Sequence, residues 1–201
     1  MLMRLGQAVA GLAVLALGIM LLITARGPDP WGVFLLGLQG RLGLSLGYTA
    51  LGGGVLLIAI NFFWGGRRPG LATLLSMMLV AALIDLFGLF AFFGASFSLW
   101  QRALLQLLGI VTMAAGIAIY VRARLGEGPV EGLMFVLSHK LNLKIAVAKV
   151  LEDCLFVVGG LLLGWQLQPA TIVTALSVGP VTQVMLSLPE KVKKKKEDAS
   201  I

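Results

Sequence analysis

The sequence predicts an all-α membrane protein: six transmembrane helices arranged as two inverted three-helix repeats, each with a short Pro-initiated interfacial or re-entrant helix. Three observations carry this expectation. The 201 residues are 59% hydrophobic and 12% charged, with a mean hydropathy of +0.98, whereas a soluble domain carries about 25% charged residues. Six stretches, near 5–25, 46–63, 71–93, 101–121, 143–164 and 169–188, approach the roughly 20 apolar residues a spanning helix needs. Finally, Arg4, Gly11, Gly18-Ile19 and Ala25-Arg26 return as Arg102, Gly109, Gly116-Ile117 and Ala123-Arg124, 98 positions later (109 − 11 = 98).

The repeat extends further along the chain. Ala72-Thr73 recurs as Ala170-Thr171, and one extra residue near Leu125 moves the offset to 99, where Pro30 meets Pro129, Leu42 meets Leu141 and Leu44 meets Leu143. Two units are thereby expected, 1–98 and 99–188, followed by a basic cytoplasmic tail, 189–201. Three spans per unit force the second to enter the membrane from the opposite side, an architecture recurrent among secondary transporters.

The first stretch is too long for the apolar core of a secretory signal and no small-residue cleavage site follows it, so it is expected to remain as a span. Between the first and second span of each unit lies a run too short to cross: GPDPWGVFLLGLQGRLGLSLG (27–47) and GEGPVEGLMFVLSHKLNLK (126–144). Pro30, followed by Trp31, and Pro129 suit the first helical position, with Asp29 and Gly128 as caps. Val130, Leu133, Met134, Leu137 and Leu141 keep helical spacing, with Glu131 and Ser138 off that stripe. Such helices either lie in the headgroup region or dip into the bilayer, which is tolerated only where protein or a water-filled cavity covers the backbone.

The fifth stretch contains AKVLEDCLFVVGG (148–160). At about 1.5 Å per residue from Leu143, Lys149 lies roughly 9 Å into the membrane and Glu152-Asp153 roughly 14 Å, near its centre. Charges there are expensive and must face the bundle interior. Lys149 can pair with Glu152 or Asp153, three and four residues on, which leaves one carboxylate to be met by a proton, water or a cation. Asp85 lies deep in the third stretch; its repeat mate is Gln183 (183 − 85 = 98), on a sixth stretch that also carries Thr171, Thr174, Ser177, Gly179-Pro180 and Thr182. Pro180 is expected to break that helix. The expected pathway residues are therefore Lys149, Glu152, Asp153, Asp85, Gln183, Thr174, Ser177 and Thr182, with Pro30, Trp31, Pro129 and Pro180 at hinges or half-helix ends. The alternative is that the charges only fix helix register. Gly11, Gly18, Gly109, Gly116 and Gly52-Gly53-Gly54 read as close-packing surfaces.

Other functions are disfavoured by what the chain lacks. Cys154 is the only cysteine and His139 the only histidine, so an intrachain disulfide is impossible and little material exists for a metal site. There is no GxxxxGK[ST] loop and no GxSxG elbow, so neither an enzyme nor a cofactor is expected, and energy would come from a gradient or a separate ATPase subunit. The net charge of +7 divides between span-edge loops and the tail KVKKKKEDASI, which suits anionic lipid rather than nucleic acid. Arg4, Arg67, Arg68, Arg122, Arg124, Lys140, Lys144 and the tail would lie inside, against Arg26, Arg41 and Arg102 outside, giving cytoplasmic termini.

The runs GIMLLITARGPDPWGVFLLGLQGRLGLSLGYTALGGGVLL, RRPGLATLLSMMLVAALIDLF and TIVTALSVGPVTQVM resemble the YczE/YitT group of small bacterial membrane proteins. The resemblance implies a bacterial inner-membrane location and gives no substrate. Gly32 departs from it, since an acidic residue is expected after Pro-Trp. Together these features predict a transporter of a small or lipid-like solute, whose partners are the bilayer and a small-molecule substrate, with self-association left open. A non-transporting scaffold or accessory subunit is the alternative.

Overall fold

The computed structural model describes residues 2–123 and 128–198, and every regular element among them is helical. In chain order these are α1 (Leu2–Thr24), α2 (Pro30–Leu42), α3 (Leu46–Phe63), α4 (Leu71–Gly88), α5 (Leu99–Arg122), α6 (Pro129–Lys140), α7 (Ile145–Leu162) and α8 (Pro169–Asp198), with one 3-10 turn at Ala91–Gly94. Local chemistry sets their ends. Ser45 caps α3 by accepting the Tyr48 N–H at 3.2 Å, and at the start of α5 the Gln101 side chain reaches back to the Ser98 N–H at 2.9 Å. Gly43 ends α2 in the left-handed region, φ 67°, where a Cβ would be strained.

Four helical segments are long and apolar enough to cross a membrane: Met3–Thr24, Leu46–Phe63, Leu99–Arg122 and Pro169–Ser187. α4 contributes a shorter apolar run, Thr73–Gly88, and α7 carries Lys149, Glu152 and Asp153 within its 18 residues. The two expected spans that fall short of this criterion are therefore the ones with a short run and with buried charge. Large apolar side chains such as Leu99, Leu162 and Val150 cover the outer surface, as a lipid-facing bundle requires.

One expectation is corrected. The helix does not break at Pro180: α8 runs unbroken from Pro169 to Asp198, past Pro180 and into the expected tail. Proline removes one hydrogen bond, but a full break would free several backbone groups where no water can satisfy them.

The seam of the bundle is α1 against α5, running antiparallel. A Cβ on Gly11 would come closer than 3.0 Å to Tyr120, on Gly18 to Met113, on Gly109 to Leu22 and on Gly116 to Leu15. Glycine is required because the backbones themselves meet. α4 packs on α1 and α8 on α5; α2 packs on α7 and α6 on α3. These last two contacts are also glycine-mediated, Gly160 against Val33 and Gly132 against Asn61.

Candidate functional site

The two short helices begin alike and converge. Asp29 (φ −67°, ψ 165°) and Gly128 (φ −69°, ψ 167°) are both extended, as residues before proline prefer, and Pro30 and Pro129 open α2 and α6. A carboxylate lies over each first turn, supplied from opposite places. In the first, Asp29 occupies the space left by Gly32, whose Cβ would stand 2.8 Å from Asp29 Oδ1. In the second, Gly128 leaves the space and Glu131 fills it. These positions are repeat mates (128 − 29 = 99; 131 − 32 = 99). The acid that seemed absent at Gly32 is thus delivered by the cap itself. An acid at this end also complements the helix dipole.

Glu131 Oε1 accepts a hydrogen bond from the Tyr120 hydroxyl at 2.6 Å. On α7, Lys149 Nζ lies 2.9 Å from Glu152 Oε2 and 2.8 Å from Asp153 Oδ1, so it bridges both carboxylates rather than choosing one. Glu152 is fully buried, and its Oε1 has no hydrogen-bond partner among the described residues. Asp29 is within electrostatic reach of Lys149 and Asp153, and Glu131 of Glu152. Glu152 and Asp153 therefore share the Lys149 ammonium, with Asp29 and Glu131 as further acids nearby among the described residues.

These groups line a cavity of about 590 Å³, together with Trp31, Tyr120 and apolar residues of α1, α3, α4 and α5. Thr174, Thr182 and Gln183 bring α8 to the same wall, and Thr182 Oγ1 is buried without a hydrogen-bond partner among the described residues. Trp31 backs onto Phe34 and Phe156, at centroid distances of 5.5 and 4.8 Å. The cavity walls do not include Ser177, Pro180 or Asp85. Asp85 instead ties α4 to the start of α3: its Oδ1 accepts the Gly47 N–H at 2.7 Å and its Oδ2 the Ser45 hydroxyl at 2.5 Å. The close-packed Gly47 leaves the room for it.

Sequence reasoning placed Asp29 as a cap and Glu131 off the apolar stripe, and missed that both face the cavity. It also missed Gln106, an amide set into the apolar part of a span, which is buried and donates to the Ala170 carbonyl at 3.0 Å and to Thr174 Oγ1. Thr174 in turn donates to the Gly27 carbonyl at 2.7 Å. This clasp holds the turn before α2 inside the bundle, where its backbone has protein partners.

Fold and site define a polytopic helical membrane protein with an acidic cavity at its centre. The chain belongs to the Family of unknown function (DUF6198), matched over residues 2–187. It is 30% identical over 188 residues to the Uncharacterized membrane protein YczE of Bacillus subtilis (strain 168), covering 91% of this chain and 84% of that one. It is also 26% identical over 180 residues to an Uncharacterized protein of Haemophilus influenzae, covering 88% and 80%. A third relative, the Uncharacterized protein YyaS of Bacillus subtilis, is 25% identical over 187 residues, covering 90% and 91%. No solved structure matches.

Proposed function

We propose that this protein is a carrier of a small solute in the bacterial inner membrane, built from two inverted three-span repeats and working by alternating access. The observation that carries this reading is the 590 Å³ cavity into which two Pro-initiated helix ends bring carboxylates, one from each half of the chain. In this reading α2 and α6 are re-entrant half-helices, as transporters place at their binding sites. The buried acids supply a route for coupling to protons, and the positive residues set both termini in the cytoplasm.

Equivalent contacts support the two-fold relation. Gly11 meets Tyr120 as Gly109 meets Leu22, and Gly18 meets Met113 as Gly116 meets Leu15; each pair maps onto the other at an offset of 98 (120 − 22 = 98; 113 − 15 = 98). Val33 meets Gly160 as Gly132 meets Asn61, at an offset of 99 (132 − 33 = 99; 160 − 61 = 99). The scaffold alternative draws on the Lys149 salt bridges, which could serve register alone. It gives no reason for the cavity or for a buried Glu152 oxygen without a hydrogen-bond partner among the described residues.

The test is access. In a Cys154→Ser background, Met134→Cys and Ala175→Cys, both in the cavity wall, are challenged in oriented vesicles with a charged, membrane-impermeant thiol reagent. A carrier gives labelling from both faces; a sealed scaffold leaves both positions inert from either side while edge positions Arg68→Cys and Arg102→Cys react.

A further inference from the structure

The chemistry of the cavity narrows what it can hold. Among the described residues its charged walls are Asp29, Glu131, Glu152 and Asp153 against Lys149, so an anionic ligand would meet mostly like charge. Glu152 Oε1 is fully buried and without a hydrogen-bond partner among the described residues, an acceptor waiting for a donor, because a buried oxygen without a hydrogen bond is costly. The remaining walls are apolar, with Trp31 presenting an aromatic ring. Among the described residues no three His, Cys, Asp or Glu side chains come together in a metal-holding group, and a single dehydrated ion would leave most of the volume unfilled.

We infer that the cavity binds an organic cation with an apolar body, its charged head beside Glu152 and its body against Trp31 and the aliphatic walls of α1, α3 and α4. Cation–aromatic attraction strengthens when both groups are desolvated, and a buried carboxylate gains from a cation that displaces Lys149. Lys149 is then the resident competitor for the site. This inference rests on the carrier reading only in naming its solute, since binding is measurable without transport.

The probe is a shape-matched pair, 2-phenylethylammonium and 3-phenylpropionate, in equilibrium dialysis against the full chain in lipid nanodiscs, with empty nanodiscs subtracted. The cation should bind saturably and the anion should not. Glu152→Gln should weaken cation binding about tenfold or more, whereas Lys149→Gln should tighten it. A merely structural salt bridge predicts the reverse for Lys149, because its loss would loosen the site, so this variant decides the matter even if Glu152→Gln does not fold. Absence of saturable cation binding, equal binding of the two ions, or weaker binding by Lys149→Gln overturns the inference. If Met134→Cys is labelled from both faces but the cation does not bind, the carrier stands and its solute is of another class. Cation binding without two-sided labelling leaves the site and removes the carrier.

Discussion

The two halves of the molecule treat the same pair of helices differently. In the first half α3 packs along α4, held at one end by Asp85 on Ser45 and Gly47. In the second half α7 and α8, the corresponding pair, barely meet among the described residues, and Gln183, the mate of Asp85, faces the cavity instead of the start of α7. Lys144, the mate of Ser45 (144 − 45 = 99), caps α7 without a side-chain hydrogen bond. One end of the cavity is latched and its counterpart is parted. On the inverted-repeat carrier reading proposed above, those ends would face opposite sides of the membrane, the difference between them would describe one conformer, and exchanging them would describe the other. On the orientation proposed above, this conformer opens toward the cytoplasm.

Breaking the seam that both ends share should have the largest effect. Gly18→Leu drives a side chain into the α5 backbone at Met113; overpacking of this severity should cost about 3 kcal/mol or more, seen as loss of monodisperse protein in size-exclusion chromatography. Next comes the latch. Asp85→Ala removes two hydrogen bonds to a charged group, each about 1.5–3 kcal/mol, and a change of that size should shift the balance between conformers by tenfold or more. Ala50→Cys, in the α3 wall of the cavity, should then label faster from the outer face.

The acids over the short helices sharpen the comparison further. Glu131→Ala removes the hydrogen bond that Glu131 accepts from the Tyr120 hydroxyl and should cost about 1–3 kcal/mol in denaturant unfolding. The smallest effect belongs to the exchange Asp29→Gly with Gly32→Glu, which rebuilds in α2 the arrangement found in α6. It should lie within about 1 kcal/mol of the parent protein, while Asp29→Gly alone loses more, since it strips the helix end of its negative charge. A double variant no better than the single would break the equivalence of the two helix starts.

How much of this was legible in the sequence follows from range. Pro30 and Pro129 start helices through chemistry confined to adjacent residues, so both starts were readable, and the glycine copies at 11, 18, 109 and 116 marked the seam. Lys149 and its two acids announced themselves by cost in an apolar run. Depth along a helix can be counted, but the direction a side chain faces depends on partners far away in sequence. Asp85 was deep enough for the pathway and proved to bind Ser45 and Gly47 instead. Asp29 and Glu131 read as local features and reached the cavity only once α2 and α6 were brought together. Pro180 was given a local meaning, a break, which the surrounding helix overrode. Gln106 and Asn61 carried signals that were available and unused, amides within apolar spans.

The central claim is that the latched and parted ends exchange. Pulsed electron–electron spin resonance in nanodiscs tests it directly, with labels on the mate pairs Tyr48/Leu89 across α3–α4 and Val147/Ser187 across α7–α8. The account predicts a short distance at the first pair and a long one at the second, with a minor population at each that grows in opposite senses when Asp85 is replaced by Ala. A single unchanging distance at both pairs, in the parent protein and in the Asp85→Ala variant alike, would contradict it.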